Sequence, residues 1–168
     1  MTAVIVYESL WGNTARVATA IAEGFGPQAQ ALSTAEATPE LIAHADLVVA
    51  GGPVFAWQLS TEKSRERIRT SPGPFAPPPD LSTPSLRSWL AALPRGSAPC
   101  ATFDTHLRGP FGSGARTVAE NLQAKGYRLI SPPEGFIVTG KYGPLRNGEV
   151  DRARQWGRHL HDLIQTTD

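Results

Sequence analysis

The sequence predicts an α/β protein, a three-layer sandwich in which a five-stranded parallel sheet is covered by helices on both faces. Two observations point there. Short, continuous apolar runs rich in β-branched residues mark strands buried on both faces, and these runs alternate with amphipathic helical patterns along the chain. The length of 168 residues, with no internal repeat, is that of one ordinary domain, so a single domain over residues 1–168 is expected.

The elements follow in order. Ala3 to Tyr7 reads as the first buried strand, followed by a polar, glycine-containing turn from Glu8 to Asn13. Val17, Ala18, Ile21, Ala22 and Phe25 then form one stripe of a helix, which Gly24, Gly26 and Pro27 stop. Gln28 to Ser33 suits a short edge strand. Pro39 to His44 suits a short helix, with Thr38 as N-cap and Pro39 at the first helical position. Asp46 to Ala50 is a second buried strand, ending at Gly51-Gly52-Pro53, and Ala98 to Phe103 is a third. Gly114 to Lys125 is helical, with Val118, Ala119 and Leu122 inside. Tyr127 to Ile130 and Gly135 to Val138 supply the last strand, interrupted by Pro132-Pro133. A helix from about Glu149 to Gln165 closes the chain, with Trp156 on its buried stripe. The exception to the alternation is Ser71 to Pro94, which holds seven of the 15 prolines. Proline blocks helix interiors and sheet ladders. This insert reads as an ordered surface loop, able to act as a lid, with a short helix near Pro84 to Leu93.

Composition narrows the function. Sixteen basic residues against 15 acidic ones give a net charge of +1, no electrostatic reason to expect nucleic acid or a membrane surface as partner. Cys100 is the only cysteine, so no intrachain disulfide can form. No apolar stretch is long enough to span a bilayer, and the first residues lack the basic n-region and long apolar run of a signal peptide. A cytoplasmic location is expected. No metal site is expected either: His159 and His161 lie two apart on a helix and face different ways.

In a sheet of this kind ligands bind beyond the carboxyl ends of the strands. Three loops lie there: Glu8 to Thr14, Gly51 to Ser60, and Asp104 to Gly114. The first contains Ser9-Leu10-Trp11-Gly12-Asn13-Thr14 between a strand and a helix. Unpaired amides at a helix N-terminus favour an anion, and Ser9, Asn13 and Thr14 add side-chain donors. Gly12 allows close approach of the backbone. The loop has no lysine or arginine, which suits a monophosphate rather than a nucleoside triphosphate.

Ser9 to Thr14 resembles the signature of the flavodoxin family: a hydroxyl residue, two variable residues, then Gly-Asn-Thr. The likeness extends from Ala3 to about Leu163, leaving out the proline-rich insert. It implies a flavodoxin-like sandwich with strand order 2-1-3-4-5 and bound flavin mononucleotide (FMN). In the second loop, Pro53, Val54, Phe55, Ala56 and Trp57 stand where the family has Gly-x-Pro and a ring-stacking aromatic. The resemblance implies that Phe55 or Trp57 stacks on the flavin; otherwise they simply cover the sheet edge. In the third loop, Thr105 matches, and Phe111 falls at the spacing of an outer stacking aromatic. Asp104 and His106 replace the family's two glycines. A protonated His106, or Arg108, would stabilise negative charge on a reduced flavin; otherwise both face solvent.

The resemblance implies a redox protein, either an electron carrier or a small flavin-dependent oxidoreductase acting, for example, on quinones. Its partner would be a redox protein or a small-molecule acceptor, and its oligomeric state is open. The competing reading is a flavin-free binding or regulatory module, suggested by the replaced glycines. A receiver domain is excluded because Ala50-Gly51 stands where a phosphate-accepting Asp is required.

Overall fold

The computed structural model describes residues 1–55, 57–110 and 112–166. Its elements are β1 (Ala3–Tyr7), α1 (Asn13–Phe25), β2 (Ala29–Ser33), α2 (Pro39–Ala43), β3 (Leu47–Phe55), β4 (Gln58–Leu59), α3 (Glu62–Thr70), α4 (Leu86–Ala92), β5 (Pro99–Leu107), α5 (Gly114–Ala124), β6 (Arg128–Leu129), β7 (Glu134–Val138) and α6 (Glu149–Gln165). The main sheet runs β2-β1-β3-β5, all parallel. Both β6 and β7 then pair with β5, β6 at Pro99 and Cys100 and β7 from Phe103 to Leu107. They are two halves of one fifth strand, broken around Pro132-Pro133, where proline cannot join a ladder. With the halves counted together and the two-residue β4 left aside, the order is 2-1-3-4-5, as expected.

Two apolar layers flank the sheet. On one face α1 and α6 cover Ile5, Val49, Ala101 and Phe103. On the other, Leu86, Trp89 and Leu90 of α4 and Val118 and Leu122 of α5 cover Val6, Val48 and Cys100. The alternation along β5 decides which side chains meet which helix.

Several boundaries differ from the sequence-based expectation, each for a tertiary reason. Gly24 does not stop α1; it lies inside the helix, where a Cβ would come within 2.0 Å of the Arg154 carbonyl oxygen. Gly157 of α6 is held likewise against the Ile21 carbonyl, 2.2 Å from an added Cβ. The two glycines let the helices touch backbone to backbone. β3 does not end at Gly51; it runs through Gly52 and Pro53 to Phe55. β5 pairs with it there, while β1 has already ended opposite Gly51, so Pro53 sits beside an open edge. Gly51 makes room for the Phe103 ring, which a Cβ would approach within 2.5 Å. β4 then pairs antiparallel with the end of β3, Val54 opposite Leu59 and Phe55 opposite Gln58.

β5 likewise extends through Asp104, Thr105 and His106, residues expected in a loop. Helix α3 was not anticipated at all. Its sequence EKSRERIRT has one apolar residue and no stripe, yet Thr61 and Ser64 form a reciprocal capping box at its start.

Candidate functional site

The carboxyl ends of β1, β3 and β5 converge on a slot of about 230 Å³. Ser9, Leu10, Trp11, Asn13, Thr14, Pro53, Val54, Phe55, Thr105 and His106 all line it. Three residues that sequence reasoning did not flag join them, Leu107, Val138 and Lys141. Lys141 comes from the segment after β7, so a cation borders the slot although the Ser9–Thr14 loop itself has none. Only folding reveals it, because nothing in sequence ties position 141 to position 9. Ala56 and Phe111 lie outside the described residues.

The phosphate-loop expectation can be tested on the start of α1. Thr38, Thr61, Ser85 and Ser113 each accept a backbone N–H at the N-termini of α2 to α5. Helix α6 has Glu149 and Asp151 in its first turn. Helix α1 has neither a side-chain cap nor an acidic first turn. Among the described residues no side chain caps its first amides, and the helix dipole adds to their positive ends. Gly12 has a φ of +88°, which favours glycine, and a Cβ there would meet no protein atom within 4 Å. The Ser9 hydroxyl oxygen accepts the Gly12 N–H at 3.1 Å, which holds the turn.

The side chains of Asn13 and Thr14 are already engaged. Asn13 donates through Nδ2 to the Tyr142 carbonyl at 3.1 Å, and the buried Thr14 hydroxyl meets that of Thr105 at 2.7 Å. An anion would thus be held by backbone amides, with Lys141 on the rim. Donors of this kind fit the monophosphate of FMN.

Phe55 lines the slot and meets Trp11 edge-on, with ring centroids 5.8 Å apart. Trp57, at the hairpin tip, is 60% exposed and has a φ of +77°. The loop after β5 approaches this tip: a Cβ on Gly112 would come within 2.7 Å of the Trp57 carbonyl oxygen. Trp57 and Gly112 therefore stand against each other.

Asp104 and His106 form a pair. Asp104 is 1% exposed. One carboxylate oxygen accepts the Ala115 N–H at 2.9 Å at the start of α5, and the other lies 2.6 Å from His106 Nδ1. The hydrogen bond from His106 to Asp104 raises the imidazole pKa above its ordinary value, against the opposing effect of burial. Gly135 provides the room, since a Cβ there would lie 2.4 Å from the His106 ring. His106 is thus neither loose nor solvent-facing; Asp104 holds it against β7. Arg108, by contrast, lies on the exposed turn that follows β5.

Glu8, the residue before the loop, is fully buried. It accepts hydrogen bonds from Ser60 Oγ at 2.5 and 2.8 Å and from Arg65 Nη1 at 2.8 Å. Arg65 also donates to the Leu81 and Thr83 carbonyls. Burial raises the Glu8 carboxyl pKa, and the Ser60 and Arg65 contacts only partly offset this. The proline-rich insert is strapped over the loop: Trp11 Nε1 donates to the Pro77 carbonyl at 3.0 Å, and the Asp80 N–H donates to that of Leu10 at 2.8 Å. Elsewhere, burial pushes the Cys100 thiol up to about 11, so it is inert at neutral pH. Among the described residues no group of three His, Cys, Asp or Glu side chains is placed to hold a metal ion, and no helix is long and apolar enough to cross a membrane.

A doubly wound sheet of this order, with its slot beyond the strand ends, defines a flavodoxin-like fold. Solved structures of that fold match over the whole chain. An archaeal flavodoxin aligns with a TM-score of 0.68 at 17% identity, over 98% of this chain and 99% of that one. A WrbA-like flavodoxin from Agrobacterium tumefaciens aligns at 0.63 and 16%, over 99% of each chain. The flavodiiron core from Synechocystis aligns at 0.65 and 16%, over 100% of this chain and 37% of that one. No protein-family profile and no curated protein sequence matches.

Proposed function

We propose that this chain is an FMN-binding redox protein, either an electron carrier or a small flavin-dependent oxidoreductase working in the cytoplasm. The uncapped start of α1, opening onto the slot beneath the Ser9–Thr14 loop, carries the reading. The amides of that first turn would hold the phosphate, with Lys141 beside it. Phe55 and Trp57 would flank the ring, and the Asp104–His106 pair would place a protonatable group along its edge. Bound FMN would supply one- and two-electron chemistry; the chain supplies the binding, orientation and local charge. Partners follow from that role: a redox protein or a small-molecule acceptor.

The test is a visible spectrum of the purified protein, then titration with FMN and with riboflavin. A phosphate site predicts FMN binding about a hundred-fold or more tighter than riboflavin, as charge-assisted hydrogen bonds are lost with the phosphate. Equal affinities would mean that the Ser9–Thr14 loop holds no phosphate. A second reading, a flavin-free binding or regulatory module, draws on the slot's 230 Å³ and the close approach of Gly112 to Trp57. Small-molecule sites usually run from about 300 Å³ upward. Absence of flavin together with failure to bind added FMN would favour it.

A further inference from the structure

Trp11, Phe55 and Lys141 border the slot and also border a second cavity, of about 410 Å³. Its other walls come from α3, at Arg67 and Ile68, and from the proline-rich insert, at Pro72 and Pro77. This volume falls within the range of small-molecule sites.

The cavity has an aromatic lining held in fixed orientation. Trp11 meets Phe55 at 5.8 Å and Tyr142 at 4.8 Å between ring centroids, both edge-on. Its indole N–H is anchored on the Pro77 carbonyl, so the ring cannot turn without losing that bond. The charge is of one sign. Arg67 and Lys141 border the cavity, and no Asp or Glu does. On α3, Arg65 is paired with Glu8 and Arg69 with Glu66, but Arg67 has no carboxylate partner among the described residues. Lys141 has none either; its ammonium lies 5.5 Å from the centre of the Tyr142 ring.

We propose that this cavity binds a planar aromatic anion, a one- or two-ring molecule carrying a carboxylate or sulfonate. The ring would pack against the aromatic and proline walls, and the anionic group would meet Arg67 and Lys141. Neither feature alone specifies this ligand: cations by themselves bind any anion, and aromatic walls bind neutral rings as well. Because Trp11 and Phe55 separate the cavity from the slot by one layer of side chains, a quinone bearing an acidic group is the acceptor class it fits. That last step rests on the flavin reading; the binding itself does not.

The test is isothermal titration of the purified full chain with naphthalene-2-sulfonate and with uncharged 2-naphthalenemethanol, before and after addition of FMN. The sulfonate should bind about ten-fold tighter at low salt, and the preference should shrink as salt screens the exposed cations. Arg67→Gln, at an exposed position outside the slot, should remove most of the preference and leave FMN affinity unchanged. Equal binding of the two probes, or a preference that survives both Arg67→Gln and Lys141→Gln, overturns the proposal. Failure of FMN to bind while the sulfonate preference holds removes the flavin reading and leaves the cavity; the reverse removes only the cavity.

Discussion

His106 is held by a buried carboxylate, and this makes its charge a function of pH. The hydrogen bond to Asp104 raises the imidazole pKa, outweighing burial, so protonation is favoured in the folded state. Glu149 adds a smaller push the same way, and Arg152 opposes it. The stabilisation is complete below the ordinary histidine value of 6.5 and is lost as pH rises through the higher folded value. The stability gap between the parent and His106→Gln, read from urea unfolding, should therefore be widest below the ordinary histidine value of 6.5 and narrow as pH rises through the higher folded value. A gap that does not change with pH would mean that the pair contributes packing alone. The sequence marked Asp104 and His106 as departures from a glycine pattern. That Asp104 caps α5 and fixes the imidazole could not be read there, because Ala115 and Gly135 reach the pair only through folding.

At the scale of elements, α1 and α6 are joined through two glycines. Alanine at Gly24 would raise helix propensity by about 1 kcal/mol, and by that measure alone would stabilise. The Arg154 carbonyl stands in the way of its Cβ, and backbone cannot yield as a side-chain tip can. Gly24→Ala and Gly157→Ala should each destabilise by roughly 1–3 kcal/mol in urea unfolding, the cost of overpacking. A neutral or stabilising result would show that the helices separate easily. The amphipathic stripes of both helices were legible, since periodicity is local. Gly24 was misread as a stop, because a helix-packing glycine and a terminating one look alike in sequence. Helix α3 was missed for a related reason: it buries Arg65 rather than an apolar stripe, so its local marks were only the Thr61–Ser64 capping box and the charges at its two ends.

Across the whole molecule, the Glu8–Arg65 pair ties together the end of β1, helix α3 and the proline-rich insert. Removing one partner of a buried pair strands the other charge, so Arg65→Ala should cost about 3 kcal/mol. On the flavin reading it should also weaken FMN binding, because Glu8 leads directly into Ser9. Glu8→Gln/Arg65→Ala should recover part of the stability by removing the stranded charge. A double variant no more stable than the single one would show that Arg65 acts through its Leu81 and Thr83 contacts instead. The sequence by itself determined the α/β class, the strand order through its family resemblance, and the Ser9–Thr14 loop at the head of a helix. Strand runs, helical stripes and turn glycines are local patterns, and backbone geometry makes them legible. Tertiary structure alone decided that Lys141 borders the slot, that the insert straps the loop, and that Glu8 and Asp104 are buried with partners. The Lys141, insert and Glu8 contacts join residues tens of positions apart, Asp104 meets partners two to eleven positions away, and only the packed fold brings these groups together.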